Sequence, residues 1–177
     1  AVSSLNLTVP MRVNCGKISH SRIFWGDSAW AVENDWHNRS LRETQLRDRN
    51  QNINPGQSSS RFALSSTSTW STGVHEPAGI VQVEGSTRRA RDFSVMWQIE
   101  HNGPWEWEVG EDDPGLHISA FGPEFQDHQW YTQLGEGNDS ESVPVSFAIT
   151  SGNWQQSVAE MTLQRRALRA AKARELG

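Results

Sequence analysis

With one cysteine, Cys15, the chain cannot form an internal disulfide, so a packed core must hold it together, and 177 residues are enough to build one. Tyrosine is nearly missing too, at one residue, and no apolar run approaches the length that spans a bilayer. No basic-then-apolar leader stands at Ala1. These absences predict a soluble protein. Catalytic signatures are equally lacking. The histidines His20, His37, His75, His101, His117 and His128 show neither His-x-His nor His-Glu-x-x-His spacing, and there is no Gly-x-Ser-x-Gly elbow or phosphate-binding glycine loop. The expectation is no enzyme, no catalytic residue, no cofactor and no metal site.

Charge is unevenly placed along the chain. Val158 to Gly177 holds Arg165, Arg166, Arg169, Lys172 and Arg174 against Glu160 and Glu175, so this tail carries +3 and the remaining chain −8. An acidic body excludes nucleic acid as the main partner, because phosphate binding needs a positive face. What the chain has in abundance is tryptophan, nine residues of it. A flat apolar body with a single N–H donor suits Trp to stacking on sugars and to the headgroup layer of a bilayer.

Alternation of apolar and polar residues predicts strands, because successive strand side chains point to opposite faces. Leu5 to Val13 alternates cleanly, and Pro10, which lacks an N–H, places that strand at a sheet edge. A second strand runs from Ile18 to Trp25, followed by polar sequence from Asp27 to Asn54 with one short element. Further strands fall at Ser58 to Ser65, Ile80 to Glu84, Leu116 to Phe121 and Val143 to Thr150. Turns fall at Cys15-Gly16-Lys17, Asn54-Pro55-Gly56 and Ser151-Gly152-Asn153.

Asp92 to Gly110 alternates on both sides of His101-Asn102-Gly103-Pro104 and reads as a β-hairpin carrying Trp97, Trp105 and Trp107. Ala159, Met161 and Leu163 read as a partner strand, and Gln164 onward as a basic helix or tail. The predicted fold is all-β: a single antiparallel β-sandwich over 1–163 with long polar loops, and a short C-terminal helix or tail over 164–177.

The carboxylates Glu106, Glu108, Glu111, Asp112 and Asp113 read as a solvated strand face running into an acidic turn, since the sequence shows no partner for a calcium or acid–base role. The strand tryptophans are expected to divide between core and surface by parity. Trp30, Trp36, Trp70, Trp130 and Tyr131 lie in polar loops, where large aromatics have little packing to do and mark a binding surface.

The order of these features resembles the aegerolysins. RVNCGKISHSRIFWG, NINPGQSSSRFALSS, GVHEPAGIVQV and FSVMWQIEHNGPWEWEV are similar, in turn, to that family's opening strands with their Trp-Gly pair, its Pro/Gly turn and strand, its Glu/Gly stretch, and its Trp strand, Asn turn and Trp-x-Val strand. The resemblance covers roughly Met11 to Gly122. It implies a β-sandwich related in fold to the actinoporins that recognises membrane sphingolipid with sterol and serves as the targeting component of a cytolytic system beside a perforin-like pore-forming partner. It also implies functional roles for Trp25, Glu76, Trp97 and Trp107.

The combined expectation is a secreted or released lipid-binding protein acting at a membrane surface through Trp25, Trp30, Trp36, Trp70, Glu76, Trp107, Trp130 and Tyr131. The alternatives are a lectin-like sandwich, in which Trp70 or Trp130 stacks on a carbohydrate, and an assembly protein of a particle or fibre.

Overall fold

Two sheets result from this alternation. In a computed structural model of the chain, residues 1–11, 18, 20–44, 60–68, 73–85, 92–112, 115–137 and 139–175 are described. Cys15, Trp70, the Arg88, Arg89 and Arg91 cluster, and the turns expected at Cys15-Gly16-Lys17 and Asn54-Pro55-Gly56 lie outside the described residues.

The strands are β1 (Asn6–Met11), β2 (Arg22–Asp27), β3 (Asp35–Ser40), β4 (Ser60–Ser66), β5 (His75–Val83), β6 (Phe93–Ile99), β7 (Trp105–Asp112), β8 (Gly115–Phe121) and β9 (Val145–Ser151). A single helical turn, α1 (Phe125–His128), precedes β9, and a long helix, α2 (Trp154–Glu175), follows it. One sheet has the order β1-β8-β7-β4 and the other β3-β2-β5-β6-β9, with every pairing antiparallel. The all-β sandwich is thus the architecture, and β1, with Pro10 opposite His117, is an edge strand as Pro10 requires.

The core lies between the sheets. Ile23, Val81, Val95, Trp97 and Ile99 from the five-stranded sheet meet Trp105, Trp107, Val109, Leu116 and Ile118 from the other. Trp97 and Trp107 meet edge to face across the gap, with ring centroids 5.0 Å apart. The expected hairpin at Asp92 to Gly110 is not formed. β6 pairs with β5 and β9, while β7 pairs with β4 and β8, so residues 100–104 carry the chain from one sheet to the other. Alternation correctly gave the faces of both strands, but their Trp-bearing faces bury against each other rather than side by side.

The expected strand at Ala159 to Leu163 is also corrected, because α2 begins at Trp154, ten residues before the expected start of the tail. Asn153 caps it: its side-chain oxygen accepts from the Gln155 N–H at 3.2 Å. Trp154, Ser157, Val158 and Met161 recur at helical spacing, and Val158 and Met161 pack on Phe24, Ile80, Met96 and Ala148, the outer face of the five-stranded sheet. Burying Met161 there contributes about 1.5–3 kcal/mol. That sheet is therefore covered on both faces.

Candidate functional site

The strand registers assign every connection to one of two ends of the sandwich. One end receives the 28–34 connection, the segment from β4 to β5, the 100–104 crossing and the long 122–144 connection, together with the N-terminal residues 1–5. Connections 12–21, 41–59, 84–92, 113–114 and 152–153 leave from the opposite end and contain no Phe, Trp or Tyr. The first end carries the exposed Trp30, Val32, Val74, Phe125, Tyr131 and Leu134, and among the described residues every exposed large apolar side chain of a connection lies there.

On the five-stranded side, the Val32 N–H donates to the Ala29 carbonyl and closes a turn with Trp30 and Ala31 at its corners. Ala31 has φ +67°, in a region where glycine is the usual residue, and it stores about 1–2 kcal/mol of strain. The turn presents Trp30 to solvent with 80% of its surface exposed. The Ser28 N–H donates to the Val74 carbonyl and ties exposed Val74 to the same loop.

Trp36, 40% exposed, donates its indole N–H to Asn34 Oδ1 at 2.7 Å. Glu76, half-buried, lies with Trp36 over Gly26, where any Cβ would meet Glu76 Cγ at 2.9 Å; this is why glycine follows Trp25. Trp25 is half-buried and stacks on His37 at 4.9 Å, with Phe62 at 5.2 Å.

Below Trp25, Asp27 accepts from His37 Nε2 at 2.7 Å and from His75 Nδ1 at 2.8 Å. Burial pushes the Asp27 carboxyl up, but hydrogen bonds from the two imidazoles outweigh it and hold the group below its usual range. No nucleophilic side chain among the described residues bonds either ring, and the cluster fastens β3 and β5 to the end of β2.

On the four-stranded side, the Phe125 N–H donates to the Ser3 carbonyl, and Val2 and Thr132 exchange backbone bonds, so the N-terminus fixes the loop that holds Trp130 and Tyr131. Trp130 is half-buried and Tyr131 is 59% exposed. Beneath this loop, on the sheet's outer face, lies a cleft of about 190 Å³ lined by Arg61, Ser65, Glu106, Glu124, Gln126 and Asp127, among others.

Glu108 is paired with Arg61 at 3.1 Å and lies 3.5 Å from His117 Nε2. The bond from His117 is the main cause that holds the Glu108 carboxyl below its usual range against burial. Its neighbour Glu106 has no hydrogen-bond partner and is only 6% exposed; burial first, then the charges of Glu124 and Asp127, push its carboxyl up to about 7.

A second, apolar groove of about 560 Å³ runs between β3 and the first turn of α2, walled by Trp36, Phe24 and Trp154, with Asn34 and Asn38 at its rim. α2 runs back along β9 towards the aromatic end, and Gln164 reaches Ser146 Oγ near the start of that strand at 3.3 Å. Residues 166–175, beyond that contact, are all exposed and bring Arg166, Arg169, Lys172 and Arg174 past the sheet at that end.

Of the residues expected in the site, Trp30, Trp36, Trp130, Tyr131, Trp25 and Glu76 gather at one end. Trp107 does not. It is fully enclosed at 0% exposure between Phe62 and Trp97, because its strand parity points it into the sandwich, and Trp97 is enclosed with it. The sequence reading missed Val32, Val74 and Leu134 as exposed apolar residues and Trp154 as a groove wall. It also missed Glu124 and Asp127, whose three-residue spacing in one helical turn was the available signal. Comparison with protein-family models, curated proteins and solved structures returned no match.

Proposed function

We propose that the protein is a non-enzymatic membrane-lipid-binding module that seats the aromatic end of its sandwich in the headgroup layer. The observation that carries this reading is the gathering of exposed Trp30, Val32, Val74, Phe125, Tyr131 and Leu134 at one end, when the connections leaving the other end contain no aromatic residue. Interfacial Trp and Tyr seat an apolar body in the acyl boundary while the polar tip stays wet. The basic half of α2 projects past the same end, and each Lys or Arg near an anionic leaflet contributes about 1 kcal/mol. Among the described residues no helix is long and apolar enough to cross a bilayer. Sphingolipid with sterol is the lipid class, and a perforin-like chain the partner, that the resemblance to the aegerolysins suggests.

Co-sedimentation with vesicles of sphingomyelin and sterol, and with anionic vesicles, tests the reading. Seating half of a Trp side chain, about 100 Å² of apolar area, is worth about 2.5 kcal/mol. Trp30→Ala should therefore lower partitioning roughly 70-fold while leaving thermal stability unchanged, because the ring packs on little. Wild-type protein that stays in the supernatant with every vesicle refutes the reading.

The groove favours a second one. Trp36 and Trp154 present faces on which a sugar ring can stack, with Asn34 and Asn38 to fix its hydroxyls. Saturable glycan-array binding lost in Trp154→Ala and kept in Trp30→Ala would identify a lectin-like module instead.

A further inference from the structure

We propose that Glu106, Glu124 and Asp127 form a binding site for a calcium-class divalent cation in the cleft between the outer face of the four-stranded sheet and α1. The inference stands apart from the lipid reading, because it needs only the cleft. Glu106 is inward of the rim, 6% exposed, and hydrogen-bonds to nothing, although Glu108 two residues along the same face is held by both Arg61 and His117. A buried carboxylate without partners is costly, and native chains pair such groups or use them to coordinate metal.

Glu124 immediately precedes α1 and Asp127 lies within it, so one helical turn brings both carboxylates to Glu106. One oxygen from each of the three lies within 4.8 Å of the others. Three oxygens evenly spread around one calcium ion at about 2.6 Å are about 4.5 Å apart, so a single ion can touch all three after at most a few tenths of an ångström of movement, which exposed Asp127 can supply. Magnesium, at about 2.0–2.1 Å, would require them within about 4.2 Å and in octahedral array. An all-oxygen, all-carboxylate set also disfavours zinc and copper, which take nitrogen and sulfur. Ser65 and Gln126 line the same cleft and offer neutral oxygens, and water can complete the six to eight ligands that calcium takes. Among the described residues no salt bridge engages any of the three carboxylates.

Isothermal titration of EDTA-stripped full-length protein with Ca²⁺, in the absence of vesicles, tests the site. We expect one ion per chain with Kd about 10⁻⁴–10⁻³ M, the weak end of the calcium range, because only three protein carboxylates and an open cleft hold the ion. At ten times Kd, Tm should rise by about 3–6 °C. Glu106→Gln and Asp127→Asn should each weaken binding at least about tenfold, since each removes one of three charges. Asp127 is exposed, so its variant keeps the fold and reports on the site even if the Glu106 variant does not. Absence of saturable binding at about ten times the upper Kd, or binding that Asp127→Asn leaves unchanged, overturns the proposal. Equal affinity for Mg²⁺ overturns the calcium assignment.

Discussion

Replacing Gly79 by Ala adds one methyl group at the point where β5 passes beneath Trp97. Gly79 stands directly opposite Trp97 in the β5–β6 register, and its backbone lies in a region open to any residue. An ideal Cβ there would sit 2.8 Å from Trp97 Cη2 and 2.9 Å from Cε2, and closer still to Cζ2. The ring cannot swing away, because it is fully enclosed and meets Trp107 edge to face at 5.0 Å. Overpacking of this kind costs about 1–3 kcal/mol, while stiffening of the unfolded chain returns about 0.4–1 kcal/mol.

The net expectation is a loss of about 1.3 kcal/mol, or about 3–5 °C in Tm for a chain of this length. Trp97→Phe removes the ring atoms that the methyl would strike, so the double variant should be more stable than the sum of the two single changes by about 1–2 kcal/mol. Urea unfolding followed by far-ultraviolet circular dichroism measures all three variants without relying on the altered fluorophore. A loss below about 0.5 kcal/mol for Gly79→Ala, or additivity within that margin, would refute the claim that the Trp97 ring occupies the space glycine vacates.

Arg42→Ala strips the guanidinium that bonds both oxygens of Glu111 at 2.7 and 3.4 Å, and leaves a carboxylate that is 2% exposed without its cation. It should cost about 3–5 kcal/mol in urea unfolding, and Glu111→Gln in the same background should recover part of that. The carboxyl of Glu106 gives a pH dependence. Its folded pKa of about 7 lies above the ordinary 4.5, so in EDTA the folded chain keeps a proton that the unfolded chain has lost between those values. The Glu106 contribution to stability should be full below about pH 4.5 and be lost as pH rises through 7, opposite in sign to the contributions of Asp27 and Glu108; Glu106→Gln, which cannot ionise, should flatten that part of the slope in melts across the window.

Much of the strand content was legible because period-two alternation is a local consequence of backbone geometry. Leu5 to Val13, Leu116 to Phe121 and Val143 to Thr150 contain or closely match β1, β8 and β9. α2 was partly misread because Ala159, Met161 and Leu163 share a parity by chance. Starting instead from Trp154, the spacing through Ser157, Val158 and Met161 gives the helical face that the sheet covers. In the candidate site, Trp30 and Tyr131 were legible from their polar surroundings, but the meeting of Glu106 with Glu124 and Asp127 spans the rest of β7 and the whole of β8, a separation that no local pattern reports.

By itself the sequence determined which residues alternate, hence that the chain is an all-β sandwich of two-faced strands, with an acidic body and a basic C-terminal segment. Only the tertiary structure decided which strand lies beside which. Side-chain parity sets the face a residue presents, whereas the partner of a strand depends on how two apolar faces close over a common core. That closure sent β6 and β7 into different sheets, enclosed Trp97, Trp105 and Trp107, and brought Trp30, Tyr131 and the unpaired Glu106 to one end of the molecule.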